Sequence, residues 1–167
     1  MKTFFLSVGL CVGVGMVNGQ EVSRLEAFMK QPGASVTSVG GEVGRVKKIT
    51  VLYSIATNTL DSSQAKGVSI ASADVGGIAV LDHDQLPAML KTMGDIVAHA
   101  ESSSPGGQAF ACTARGGYIL SASYSNKWHI TLTYKVFYPK EAMLPTAISL
   151  ATLKELKALV ELAAGKL

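Results

Sequence analysis

Cysteine is nearly missing from this chain. Only two occur in 167 residues, Cys11 and Cys112, and the first lies within an apolar leader. A single remaining thiol makes no internal disulfide, so the fold rests on its hydrophobic core and not on covalent staples. Charge is also sparse, at 16% of residues against 48% hydrophobic. That balance excludes an intrinsically disordered chain, which has too little apolar surface to bury. Fifteen basic and twelve acidic residues leave a net charge of only +3. So small an excess supplies no basic face, and nucleic acid is not an expected partner. No Asn-x-Ser/Thr acceptor is present, which is compatible with a bacterial secreted or periplasmic protein. No Gly-x-Ser-x-Gly elbow is present either, and a serine hydrolase of that kind needs one to expose its nucleophile.

What is there begins with an export signal. Lys2 supplies a positive start, and Phe4 to Val17 carries no charge. Val17-Asn18-Gly19 sets small residues at a processing site, so residues 1–19 read as a signal peptide cleaved before Gln20. The apolar run is about 14 residues, short of the roughly 20 that span a bilayer. A lipid anchor on Cys11 is disfavoured, because Leu10 precedes it where a lipoprotein peptidase needs a small residue. The expected location is periplasmic or extracellular, with no membrane span after cleavage and no disulfide within the mature chain.

Residues 20–44 read as a short helix and a Gly-rich connector. Val22, Leu25, Phe28 and Met29 recur at helical spacing, and Pro32-Gly33 ends the pattern. Gly33, Gly40, Gly41 and Gly44 lie among small polar residues, as a linker would have them. Residues 45–167 read as one α+β domain. Ile49, Val51, Tyr53 and Ile55 alternate as a half-buried strand should, followed by strands at 67–72 and 77–81. A helix follows over 84–101, with Asp84 as its expected cap, Pro87 in its first turn and a stripe of Leu86, Met89, Met93 and Ile96. Strands at 109–114, 118–124 and 128–138 come next. In the last, Trp128, Ile130, Leu132, Tyr134 and Val136 oppose His129, Thr131, Thr133 and Lys135, giving one dry face and one wet face. The closing helix places Leu153, Leu156, Val160 and Ala163 together; Ser149 and Thr152 compete as its cap, and Gly165 ends it. The order βββαβββα predicts an antiparallel sheet of about six strands with two amphipathic helices packed on one face.

Two segments carry a resemblance. Leu81-Asp82-x-Asp84-x-Leu86-Pro87 and Phe110-x-Cys112-Thr113-x-Arg115-Gly116-Gly117 together resemble a pattern in small exported bacterial proteins of unknown function. It spans roughly the last ninety residues. The resemblance brings no activity, cofactor or catalytic residue with it.

Candidate chemistry is thin. Asp82, His83, Asp84, Asp95 and His99 are the only cluster of metal-ligand types. Asp95 and His99 share a helix face, but about four turns, roughly 24 Å at 1.5 Å per residue, separate His83 from His99. The two histidines do not share an ion on that reading, and no metal or other cofactor is expected. Ser102 to Ser104 form a loop tract without a neighbouring histidine. Cys112 falls beside Phe110 on the apolar face, as an inert buried thiol would. Gly40 to Gly44 lacks the Lys-Ser/Thr ending of a phosphate cradle. Gly44-Arg45-Val46-Lys47-Lys48 is the densest basic run and reads as a solvated strand entry or a contact for an acidic surface or lipid headgroups. The tyrosines and Trp128 belong to the core by spacing, or line a groove if the helices leave it open.

No catalytic set converges in this reading. The expected function is an exported, non-enzymatic binding module for a protein, an envelope component or a small apolar ligand, with His129, Thr131, Thr133 and Lys135 as the interaction face. A small envelope hydrolase and a structural protein pairing through its sheet are the competing classes.

Overall fold

The computed structural model describes residues 22–31, 35–102, 108–136 and 142–167. The expected signal peptide, Cys11 and the segments 32–34, 103–107 and 137–141 lie outside the described residues.

The chain is α+β, with one antiparallel sheet. Two four-stranded meanders each lead into a helix. The first comprises β1 (Val36–Val46), β2 (Ile49–Asn58), β3 (Gln64–Ser72) and β4 (Gly77–Asp82). A 3-10 turn over His83–Gln85 then enters α2 (Leu86–Glu101). The second comprises β5 (Ala109–Thr113), β6 (Ile119–Tyr124), β7 (Trp128–Val136) and β8 (Ala142–Ile148), followed by α3 (Leu150–Ala164). A short helix, α1 (Arg24–Met29), precedes both.

The sheet therefore has eight strands and not six. The two extra strands are β1, which runs through the supposed Gly-rich connector, and β8. Glycine in β1 serves close packing. A side chain on Gly44 would meet Leu159 Cδ2 of α3 at 2.6 Å, so the bare backbone lets the helix settle on the strand. β1 pairs with β2 from Val36 to Val46. In β8, Pro145 has no amide to donate, and the strand tolerates it because β8 pairs only with β7.

Strand β7 joins the halves. It pairs with β8 from Ile130 to Val136 along one edge. Along the other it pairs with β6 from Trp128 to Thr133, and past that with β4 through Ile78↔Lys135 alone. β4 and β6 thus share one edge of β7 and diverge from it. The β5–β6 turn, carrying Arg115, sits against β4 in the wedge, with the Val80 carbonyl 3.6 Å from the Cβ position of Gly116.

One face of the sheet holds the main core. Ile130, Leu132 and Tyr134 are buried there as the alternation predicts, and Trp128 is half-buried against them; Val136 is buried as well. Helices α2 and α3 contribute Met89, Met93, Leu153 and Leu156 to the same cluster. Gly94 lies near Lys157, and Glu101 pairs with Lys154, so the two helices run antiparallel. The helices are exchanged between the halves: α3 crosses β1, β2 and β3, while α2 lies against β5. Each fully buried leucine contributes about 1.5–3 kcal/mol by leaving water.

Helix α1 is the third helix and packs on the opposite face. Leu25, 1% exposed, joins Ala56 and Val80 in a separate cluster. Leu25 rests over Gly67, where a Cβ would stand only 3.1 Å from its Cδ2 methyl. The competition for the α3 cap resolves to Ser149, whose hydroxyl accepts the Thr152 amide at 3.1 Å. Asp84 does not cap α2. It lies in the 3-10 turn, the helix begins after Gln85 without a side-chain cap, and the Asp84 carboxylate pairs with arginines instead.

Candidate functional site

Alternation along β7 and registration across its neighbours build a continuous outer face. Thr131 stands between Ser121 of β6 and Ala147 of β8, and Thr133 between Ile119 and Pro145. Ala111 extends the same row through Ser121. His129 is exposed, and Thr131, Thr133 and Lys135 are half-buried between the flanking strands. The residues on this face are small, hydroxylated or apolar, and among the described residues its only ionisable side chains are His129 and Lys135. The His129 ring lies within hydrogen-bond reach of the Ser125 hydroxyl, at 3.2 Å. Helix α1 packs on the outer face over β2, β3 and β4.

A second feature lies where α1 meets the sheet. Asp82 is 2% exposed at the end of β4. Its carboxylate accepts the backbone amides of Arg24 at 2.9 Å and Leu25 at 3.1 Å, and Nε of Arg115 at 3.0 Å. A carboxylate at this helix start satisfies donors that have no intrahelical acceptor. Arg115 also donates to Asp84, and Arg24 pairs with Asp84 at 3.2 Å. The Arg115 hydrogen bond holds the Asp84 carboxyl below its ordinary range, against a smaller opposing push from desolvation. The same bond raises Arg115, with Asp82 adding to it. The network ties α1, β4 and the β5–β6 turn together.

Beside it runs a groove of about 520 Å³ between α1 and β3, with Ala27, Phe28 and Ala65 as apolar lining and His83 at its rim. Its two carboxylates, Asp82 and Asp84, are held by arginines, and among the described residues no serine, threonine, cysteine or tyrosine lines it. Lys66, the one lysine there, donates to the Leu167 carbonyl at 2.6 Å.

The remaining sequence candidates are scattered. His83 stands before α2, whereas Asp95 and His99 lie on its later turns. Lys91 holds the Asp95 carboxylate at 2.6 Å, and the His99 ring meets the Asp95 carbonyl at 2.8 Å. Among the described residues no group of three or more His, Cys, Asp or Glu is placed to hold a metal. Cys112 is half-buried on the core face, opposite Leu120. The aromatics form a row in which His99 packs on Phe110, Phe110 on Trp128 and Trp128 on Tyr124, with centroids 5.1, 6.0 and 5.7 Å apart. All four are half-buried, and Phe110 and Trp128 pack against the main core.

Sequence reasoning missed the Asp82–Arg115 pair. The partners are 33 residues apart, and the only signal was a buried-strand position occupied by an acid, which demands a cation or several donors. No protein-family model matches the chain, and no curated protein matches it.

Proposed function

We propose that this chain is an exported, non-enzymatic binding module that docks a protein partner on the outer face of its second meander. The observation that carries the reading is the uneven cover of the sheet. Helix α1 shields β2, β3 and β4, whereas Ala109, Ala111, Pro145 and Ala147 on that side of the second meander are exposed. Small side chains at Thr131, Thr133, Ser121 and Ala147 make the surface flat, which suits close approach of another protein and suits a small ligand poorly. His129 is the exposed ionisable group of this face. The arginine-bound carboxylates of the α1 groove weigh against the hydrolase alternative. Export rests on residues 1–19, and the resemblance to small exported bacterial proteins agrees with it.

Two measurements test the proposal. Intact mass of the protein recovered outside the cytoplasm is expected to start at Gln20; retention of Met1, or lipid on Cys11, overturns the export part. Crosslinking in the cell envelope is expected to yield a defined partner that Thr131→Arg and Thr133→Arg both lose while folding normally. A partner kept by both variants moves the working surface elsewhere.

A further inference from the structure

We infer that two copies of this chain pair along β1, antiparallel across a two-fold axis at Val39, so that their sheets join into one. The contact lies in the first meander and is independent of the outer face of the second. A strand at the end of a sheet offers a row of backbone donors and acceptors to another chain, and proteins blunt such edges with proline, charge or short length. Two of the outer strands here are blunted. β5 has 5 residues, and β8 carries Pro145. β1 has 11 residues and no proline, and among the described residues only β2 pairs with it. From Val36 to Gly41 it bears no charge. Its charged residues, Glu42 and Arg45, come after that stretch and pair with each other at 3.8 Å.

The register identifies the backbone groups at the open edge. The Ser35 carbonyl accepts the Thr59 amide at 2.8 Å, one step before the pair Val36↔Asn58. In an antiparallel ladder every second residue bonds across, so Thr37, Val39 and Gly41 bond to β2. The amides and carbonyls of Val36, Ser38, Gly40 and Glu42 therefore point away from the sheet. Past Glu42 the register shifts, and a bulge of this kind ends pairing along its strand. The open edge is the stretch 36–42.

Side chains and symmetry select the occupant. Val39 is 66% exposed. It shares a side of the strand with Gly41, where a Cβ would lie 3.5 Å from the Tyr53 ring, and Tyr53 packs against the main core. An axis at Val39 sets Ser38 against the partner's Gly40 and Val36 against the partner's Glu42. The outward groups of those residues then face each other and exchange both bonds of each pair. Val39 meets the partner's Val39 in the non-bonded kind of pair, where Cα atoms approach to about 4.5 Å and side chains touch. Ile55, opposite Val39 on β2, is half-buried, so one apolar row crosses from sheet to sheet. A residue on a two-fold axis meets itself, and a charge there would oppose its own copy. Self-pairing therefore requires an uncharged edge about the axis, which residues 36–41 supply; pairing with a foreign strand sets no such condition.

Sedimentation velocity of the mature protein tests the pairing. A contact made by one strand is smaller than a standard interface, so dimers are expected to form between about 1 and 100 μM. Val39→Lys opposes two charges on the axis and is expected to weaken the dimer about tenfold or more, with the circular dichroism of the parent because the side chain is exposed. Ser38→Pro removes an outward amide and no bond to β2, and the same loss is expected. Under mild oxidant Val39→Cys is expected to form a disulfide between two copies, located by peptide mass. Thr37→Cys is expected not to, because it stands opposite the partner's Gly41. A protein that stays monomeric to about 1 mM, a dimer that both Val39→Lys and Ser38→Pro keep, or a disulfide formed by Thr37→Cys in place of Val39→Cys overturns the inference.

Discussion

Arg115 donates from Nε to Asp82 Oδ2 at 3.0 Å, and that same oxygen accepts the Arg24 amide. One buried carboxylate therefore joins the second meander to the first and both to α1. Arg115→Ala leaves Asp82 with two amides and no cation. We expect a loss of about 3 kcal/mol, read as a lower urea midpoint. A loss under about 1 kcal/mol would mean that the amides alone satisfy the carboxylate.

Acid should loosen the same corner. The Asp84 carboxyl titrates below its ordinary value of 3.8 in the folded chain. A depressed folded value contributes stability above the unfolded value, and that contribution disappears as pH falls through the folded one. The stability gap between the parent and Asp84→Asn is thus expected to be constant near neutrality and to close below about pH 4. It stays under about 1 kcal/mol, because half of the side chain is in water. Urea titrations at several pH values check it; a gap that widens in acid contradicts the assignment.

The two faces of β7 should respond differently to truncation. Leu132 is 0% exposed, and Leu132→Ala is expected to cost about 2–5 kcal/mol. Thr131→Ala and Thr133→Ala are expected to cost well under 1 kcal/mol. Chemical unfolding of the three variants decides. Equal losses would place a covering layer on the outer face.

At the bridge between the halves, Gly77 leaves no room for a side chain. A Cβ there would stand 2.7 Å from the Tyr134 Cβ and 3.3 Å from the Lys135 carbonyl. Gly77→Ala is expected to cost about 1–3 kcal/mol, with thermal melting as the measurement. Ala tolerated without loss would show that β4 and β7 separate easily.

Cys112 should label about tenfold more slowly in the folded chain than in urea, since its thiol shares the core face with Phe110. Matching rates would show that β5 opens readily.

Much of this fold was legible because periodicity reports burial. Strands β2 to β4 and β5 to β7, with α2 and α3, each carry an apolar face of the correct period. β1 was hidden because glycines stand where its side chains would be, and the packing reason for Gly44, Leu159, lies in the last helix. β8 was hidden by Pro145 and by its place at an edge. His129, Thr131, Thr133 and Lys135 were legible as one side of a strand. The Asp82–Arg115 pair was not, because its partners stand 33 residues apart in the chain.

The exchanged helices bear on how the chain holds together as a folding unit. With α3 roofing the first meander and α2 resting on the second, neither meander can complete its interior from contiguous sequence. A fragment ending near residue 102 would keep a sheet without its roof and a roof without its sheet. Separate halves are expected to be insoluble alone and to reconstitute when mixed. Intact molecules that open at the β4–β7 bridge can close onto one another, each lending a helix to its neighbour's sheet.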